Sequence, residues 1–220
     1  MRLGILGGTF NPVHLAHLQM ARDAMEQCGL ERVLFMPAAT PPHKPLAGEL
    51  SFEHRFAMVE LAIENEPRFD ACDLEGRRGG KSYSVESLET LGRMYPSDEL
   101  FFLMGMDSFA EIHLWRRYPR LFELAHLVVL MRPGTEFEDP LSAAPVAMRG
   151  EFCYPPAPKG LKTLKHSSGN RVFFIEETLL DISSTRIRER VSAGLPIDHL
   201  VPAAVSEYIT RHGFYRPTER

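Results

Sequence analysis

The chain has 220 residues, of which 44% are hydrophobic and 25% are charged, and its formal net charge is −4. This composition is typical of a globular protein with a sizeable core, and the small negative charge argues against a broad nucleic-acid surface, which would need clustered lysine and arginine. No membrane segment is predicted, and Asn11, Pro12 and His14 interrupt the N-terminal apolar run where a signal peptide would need an unbroken apolar core. We therefore expect a cytoplasmic protein that binds neither nucleic acid nor a membrane.

Apolar runs and amphipathic stretches alternate along most of the chain. Six short runs are predicted to be β-strands, at 2–6, 32–36, 69–72, 100–104, 126–130 and 172–175. Helical spacing is found between them, at 15–28, 51–64 and 84–94. Strands separated by helices of this length predict right-handed βαβ crossovers, and hence a doubly wound, mostly parallel, Rossmann-like α/β sheet with helices on both faces. We expect one domain over 1–220, with its site at the carboxyl ends of the strands.

Two later segments depart from this alternation. The stretch 135–170 contains five prolines and shows no clear period, and it is longer than an ordinary connection. We interpret it as a surface excursion, either a solvated loop or a flap or oligomer contact. Helical spacing returns at about 184–213, where Val201, Val205 and Ile209 could pack against the sheet or against a second subunit. The sequence therefore leaves a homo-oligomer open.

The stretch G-G-T-F-N-P-V-H-L-A-H-L, residues 7–18, joins the first predicted strand to the first predicted helix. Gly7 and Gly8 have no Cβ, so the backbone can turn sharply there and let a ligand approach its amides. His14 and His17 lie on one face of the helix start, where unpaired amides and the helix dipole favour an anion. The pattern matches neither the dinucleotide-binding loop nor the P-loop. We predict a phosphate-binding loop; the alternative is an ordinary turn with two surface histidines.

This loop resembles the T-F-D-P-x-H-x-G-H signature of the nucleotidylyltransferase superfamily, with Asn11 in place of the usual Asp and Ala16 in place of Gly. A second signature of that superfamily, I-S-S-T-x-I-R, is matched by I-S-S-T-R-I-R at 182–188. Hydroxyls, amides and a guanidinium at the start of a helix suit the β- and γ-phosphates of a nucleotide. The resemblance implies that residues of both signatures bind ATP, namely Gly7, Gly8, Thr9, Phe10, Ser183, Ser184, Thr185 and Arg188.

The middle of the chain narrows the resemblance to the bacterial nicotinate-mononucleotide adenylyltransferase family. It carries P-P-H-K-P at 41–45, G-K-S-Y-S at 80–84, G-M-D-S at 105–108 with Trp115 after it, and R-P-G at 132–134. The resemblance implies that Trp115 stacks on the pyridine ring and that amides near Tyr83 and Ser84 hold the ring carboxylate. It also implies that Gly105 and Asp107 contact the adenosine part of ATP. His43 and Lys44 would close over the phosphates, and Arg132 would approach the adenine or the phosphates.

The activity implied is transfer of the adenylyl group of ATP to nicotinate mononucleotide, a step of NAD biosynthesis. The 5′-phosphate of that acceptor is an anionic nucleophile, so direct in-line attack needs positioning and charge stabilisation rather than a protein nucleophile. The catalytic residues are then His14, His17 and Arg186, with His17 as the transition-state contact. Protonated imidazole would serve best, so we expect activity to vary with pH in the histidine range. Mg²⁺ would enter with ATP, without a cluster of protein ligands.

Three alternatives fit parts of the sequence. Pantetheine-phosphate and glycerol-phosphate nucleotidyltransferases share the first signature, but they resemble shorter chains without the Ser-Tyr-Ser stretch and Trp115. A non-catalytic nucleotide sensor with the same fold would be expected to lose His17 or the arginines of the second signature, and all are present. A dehydrogenase that binds NAD would need a third glycine in the loop and an acidic residue after the second strand, where Pro-Ala-Ala stands at 37–39.

Overall fold

The computed structural model describes residues 1–40, 50–131, 139–155, 161–176, 178 and 180–217. The β-strands are β1 (Arg2–Gly8), β2 (Arg32–Pro37), β3 (Phe69–Ala71), β4 (Glu99–Gly105), β5 (His126–Met131), β6 (Phe152–Cys153), β7 (Lys162–His166) and β8 (Arg171–Glu176). The α-helices are α1 (Leu15–Cys28), α2 (Phe52–Ile63), α3 (Leu74–Arg78), α4 (Ser84–Met94), α5 (Met106–Ala110), α6 (Tyr118–Leu124), α7 (Pro140–Ala143), α8 (Ser184–Ser192) and α9 (Ala203–His212). Short 3₁₀ turns are found at Ile112–Leu114 and Val146–Glu151.

The six strands predicted from the sequence are all present, as β1 to β5 and β8. Strands β1, β4, β5 and β8 pair in parallel, with Leu3 opposite Leu100 and Val128 opposite Phe173. The prediction of a mostly parallel α/β sheet is therefore confirmed. The central strands are continuous apolar runs because a strand that is covered on both faces has no solvent side for polar residues, and Phe101 and Val129 are completely buried.

The chain divides into two compact units. The first, unit 1, comprises Met1–Gly7, Met20–Leu34 and Tyr83–Leu179, and the second, unit 2, comprises Gly8–Gln19, Phe35–Ser82 and Leu180–Arg220. Within unit 1 the strands follow the order β2-β1-β4-β5-β8-β7-β6. Strand β2 continues into unit 2, where β3 lies next to it. Parallel strands β1, β4 and β5 of unit 1 end at the same edge, so Gly7, Gly105 and Met131 all lie at their carboxyl ends.

The interpretation of 135–170 as a solvated excursion is wrong for the residues that the structure describes there. Strands β6 and β7 pair antiparallel, and β7 pairs antiparallel with β8, so this segment extends the sheet. Met148 and Leu164 are completely buried, and the His166 ring stacks on Phe122 with centroids 4.9 Å apart. The misinterpretation has a physical cause, since a two-residue edge strand and its neighbour are too short to show a period of two.

The C-terminal part of unit 2 is helical, as predicted. Helix α9 packs against α2, and Val201, Val205 and Ile209 are each at most 1% exposed. These apolar side chains are therefore buried within the chain itself, where α9 contacts α2. Among the described residues, no helix has both the length and the apolar character needed to cross a membrane.

Candidate active site

The loop between β1 and α1 is shaped by the side chain of Phe10. Phe10 is buried and has a left-handed backbone (φ 50°), which is uncommon for a residue other than glycine. Its ring lies edge-on to His17, with centroids 4.9 Å apart. A Cβ on Gly8 would lie 3.2 Å from this ring. Gly8 therefore makes room for Phe10, and the prediction that its backbone admits a ligand stays a prediction.

His14 and His17 stack on each other at the start of α1. Their ring centroids are 3.7 Å apart and their planes differ by 26°. The backbone N–H of His14 donates to Nδ1 of His17 at 3.2 Å, so a neutral His17 carries its proton on Nε2. Nδ1 of His14 is buried without a hydrogen-bond partner, alone among the side-chain nitrogens and oxygens of the described part of the chain. Such an atom is costly to bury unless something else supplies its partner.

Both histidines are held in the neutral form. Burial lowers the pKa of His14 to about 4. Burial of the His17 ring lowers its pKa well below the usual value, and electrostatic repulsion from the adjacent His14 lowers it further. This differs from the expectation of protonated imidazoles. A neutral His17 still offers an N–H at Nε2, and a bound anion would raise both pKa values by favouring the charged forms.

Helix α8 of the second signature is tied to the loop of the first within unit 2. The Ser184 hydroxyl donates to the Pro12 carbonyl oxygen at 2.8 Å, and Nη1 of Arg188 donates to the Asn11 carbonyl oxygen at 2.8 Å. Ser183 is the N-cap of this helix, and its Oγ accepts from the backbone N–H of Arg186 at 3.2 Å. The structure therefore brings together two motifs that lie more than 170 residues apart in the chain.

The two arginines of the second signature have different surroundings. Arg188 is half-buried, and besides the Asn11 carbonyl it contacts Oγ1 of Thr185 at 3.3 Å. Arg186 is exposed, and its Nη1 donates to the Asp181 carboxylate at 2.6 Å. Because the Asp181 side chain is 92% exposed, this surface pair has little stability of its own. Arg186 can thus exchange its partner for a phosphate, whereas Arg188 already supports the loop.

The remaining predicted contacts that the structure describes belong to unit 1. Gly105 ends β4 and is the N-cap of α5, and Asp107 is exposed in the first turn of α5. Tyr83 is the N-cap of α4, with the Arg116 guanidinium 4.6 Å above its ring. Gly105 occupies the N-cap position, so Asp107 is not the N-cap of α5.

Trp115 follows the 3₁₀ turn at Ile112–Leu114 in the same unit. It is half-buried, with its ring 6.3 Å from that of Phe102 in a T-shaped arrangement. Part of the Trp115 ring surface is therefore accessible to a ligand. Ser84, the first residue of α4, is also half-buried. The predictions for His43, Lys44 and Arg132 lie outside the described residues.

One residue that matters for the loop was missed from the sequence. The Arg55 side chain is 1% exposed, and it donates to three backbone carbonyls of unit 2. The acceptors are Thr9 at 2.7 Å from Nη1, Ala39 at 3.1 Å from Nη2, and Leu50 at 3.1 Å from Nε. A signal existed, since Arg55 is in helical phase with the buried residues Met58, Val59 and Ala62. A charged residue at a core position indicates a buried polar contact.

No group of three or more His, Cys, Asp and Glu side chains suitable for a metal ion exists among the residues that the structure describes. The described site offers what a triphosphate needs from a protein, namely helix N-termini, hydroxyls, an exposed guanidinium and imidazole N–H groups.

Comparisons with known proteins show the family of the chain. The Cytidylyltransferase-like family matches residues 5–190. The chain is 54% identical over 220 residues to a probable nicotinate-nucleotide adenylyltransferase of Syntrophotalea carbinolica, covering all of both chains. It is 51% identical over 215 residues to one of Citrifermentans bemidjiense, covering 98% of each.

A solved structure also shares the fold. It is Plasmodium falciparum nicotinic acid mononucleotide adenylyltransferase complexed with NaAD, with a TM-score of 0.70 and 17% identity over 97% of both chains. The similarity to the two bacterial relatives extends over nearly the whole chain. The chain belongs to the nicotinate-nucleotide adenylyltransferase family, within the cytidylyltransferase-like proteins.

Proposed function

We propose that this protein transfers the adenylyl group of ATP to nicotinate mononucleotide, giving nicotinate adenine dinucleotide and pyrophosphate for NAD biosynthesis. Family membership at 54% identity over the whole chain supports this reaction. The structural observation that carries it is the joining of the two signatures, through the bonds from Ser184 to Pro12 and from Arg188 to Asn11. These bonds set the start of α8 beside the loop that leads to the stacked histidines, which is an arrangement suited to a triphosphate.

The proposed chemistry is a direct displacement. An oxygen of the 5′-phosphate of nicotinate mononucleotide attacks the α-phosphorus of ATP, the bond from that phosphorus to the bridging oxygen breaks, and pyrophosphate leaves with the electron pair. No side-chain nucleophile takes part. His17 donates from Nε2 to the transferring phosphate and stabilises the charge that develops there. His14, through its unpartnered imidazole, and Arg186 stabilise the phosphates of the leaving group.

The binding roles follow the matched motifs. Residues of the first loop and of the start of α8 would bind the triphosphate, namely Gly7, Gly8, Thr9, Phe10, Ser183, Ser184, Thr185 and Arg188. Gly105 and Asp107 would contact the adenosine, and Trp115 would stack on the pyridine ring. Main-chain amides near Tyr83 and Ser84 would select the acid, because a carboxylate accepts from amides whereas a carboxamide would direct its own NH₂ at one of them.

Adenylyltransferases that use ATP generally need a divalent metal, and we propose Mg²⁺. Because the described residues form no carboxylate or histidine cluster, oxygens of the triphosphate and water would supply most of its ligands. The ion would neutralise phosphate charge, leaving orientation to the histidines and to the start of α8. We also propose a cytoplasmic location for the reaction.

The test is pyrophosphate release by the purified protein with ATP and Mg²⁺, offered nicotinate mononucleotide and nicotinamide mononucleotide in parallel. We expect release that strongly favours the nicotinate form. Equal use of both acceptors would retain the chemistry but refute selection by main-chain amides. Release with neither acceptor would refute the proposed function. Pyrophosphate–ATP exchange in the absence of acceptor should not occur, and its detection would contradict direct displacement.

A further inference from the structure

The side chain of Asn11 is held by a residue from the far end of the chain. The Tyr215 hydroxyl donates to Oδ1 of Asn11 at 2.8 Å, across 204 residues of sequence. Asn11 is 3% exposed, and its main-chain oxygen accepts from Arg188. Asn11 is thus fixed through its backbone by α8 and through its side chain by Tyr215. Burial raises the pKa of Tyr215, so its hydroxyl keeps the proton that it donates.

Two residues with positive φ are direct neighbours of Asn11, one along the chain and one through a hydrogen bond. Among the described residues, Phe10, Arg117 and Tyr215 are the non-glycine residues with positive φ, at 50°, 53° and 62°. Phe10 directly precedes Asn11, and Tyr215 is its hydrogen-bond partner. Strained conformations persist only where the surroundings determine them strongly, and they concentrate at functional sites. Two of these three residues, Phe10 and Tyr215, therefore lie in or contact the loop between β1 and α1.

Tyr215 is carried by an ordered turn. Helix α9 ends at His212, its C-cap Gly213 has φ 65°, and the backbone N–H of Phe214 donates to the Ile209 carbonyl at 3.1 Å. The Phe214 ring stacks on His212 with centroids 5.1 Å apart and meets His54 of α2 edge-on at 4.7 Å. This packing fixes the direction in which the chain leaves α9, and so the place of the Tyr215 hydroxyl.

We propose that Tyr215 is a positioning residue, whose hydrogen bond to Asn11 holds the loop of residues 9–14 in the conformation that presents His14 and His17 to the nucleotide. The role in catalysis rests on the proposed function. Loss of the bond leaves a buried acceptor on Asn11 without its donor and frees the residue that connects Phe10 to Pro12 and the histidines. Loss of the bond should therefore lower the rate of adenylyl transfer. It should leave the affinity for nicotinate mononucleotide unchanged, because that substrate is bound by other residues.

The test compares Tyr215→Phe with Tyr208→Phe. Tyr208, in α9 of the same unit, also uses its hydroxyl, which lies 2.9 Å from Nδ1 of His54, but it makes no contact with the loop among the hydrogen bonds of the described residues. We expect Tyr215→Phe to lower kcat about tenfold, since an unsatisfied buried group costs that much, with the KM for nicotinate mononucleotide unchanged. Tyr208→Phe should retain wild-type turnover. Equal turnover in the two variants would overturn the proposal.

Amide hydrogen exchange of the peptide 8–18 gives a readout that is independent of activity. Tyr215→Phe should speed exchange of its loop amides, and Tyr208→Phe should not. Asn11→Asp keeps an acceptor oxygen and should retain protection, whereas Asn11→Ala should match Tyr215→Phe, with no added effect in the double variant. Additive effects would refute the coupling. If the wild-type protein showed no transfer, the proposed function would fail while this exchange experiment would still decide whether Tyr215 positions the loop.

Discussion

Replacing Arg55 by Met should destabilise the protein strongly, although the sequence analysis assigns no role to Arg55. Methionine fills similar apolar volume, so packing is largely retained. What is lost is the donor for three carbonyl oxygens, those of Thr9, Ala39 and Leu50. The loss is therefore one of hydrogen bonds at a site that is closed to water, since the Arg55 side chain is 1% exposed.

The magnitude follows from the number of acceptors left without a donor. Each buried acceptor that loses its partner costs about 1–3 kcal/mol, so three would cost roughly 3–9 kcal/mol. The variant no longer pays the desolvation cost of burying a guanidinium, which offsets several kcal/mol of the loss. Small shifts of the backbone would also let water reach some of the carbonyl oxygens. We expect a net loss of about 3–4 kcal/mol in the free energy of unfolding. Arg55→Lys keeps the charge but not the planar fork, so its loss should be intermediate.

The assay is equilibrium unfolding in urea, with Arg93→Met as the matched control. Arg93 is an exposed residue of α4 that contacts Thr90, so its replacement should change the free energy of unfolding by less than about 0.5 kcal/mol. If Arg55→Met lowered the free energy of unfolding by less than about 1 kcal/mol, the three bonds to carbonyl oxygens would not explain why this arginine is buried. A large loss in the control would show that the assay does not separate the two sites.

Three further predictions concern the histidines and Trp115. His17→Ala should lower kcat by on the order of a hundredfold with little change in ATP affinity, because one transition-state donor is lost; wild-type turnover would remove His17 from the mechanism. Trp115→Ala should raise the KM for nicotinate mononucleotide with kcat nearly retained, and an unchanged KM would indicate a packing role. The pKa of His14 is lowered in the folded state to about 4, so the unfolded chain binds more protons and stability should fall as pH drops from about 6.5 toward 4. His14→Gln should make the free energy of unfolding depend less on pH in this range. An unchanged dependence, measured by urea unfolding at several pH values, would contradict the prediction.

The sequence predicted the parts of the fold whose physics is local. Strands β1, β4 and β5 are buried on both faces, so each is a continuous apolar run with clear ends. Helices α1 and α4 have the predicted bounds because their apolar residues repeat with helical spacing. The histidine loop was predictable for the same reason, since Gly, Asn-Pro and His define it within twelve residues.

What the sequence did not predict depends on distant partners. Strand β7 is recognised only by its pairing with β8 and β6. The bond from Tyr215 to Asn11 joins residues 204 positions apart and leaves no local pattern. The neutral state of His14 follows from burial, which the spacing of the histidines does not reveal. Arg55 is the intermediate case, because its phase on α2 was visible and its three acceptors were not.

The central claim is tested most directly by following both products of one reaction mixture. Purified protein would be incubated with ATP, Mg²⁺ and nicotinate mononucleotide, with mass spectrometric measurement of nicotinate adenine dinucleotide and enzymatic measurement of pyrophosphate. The account predicts that the two products form in equal amounts and that His17→Ala slows both equally. Pyrophosphate formed without the dinucleotide, or no dinucleotide at all, would contradict adenylyl transfer to this acceptor.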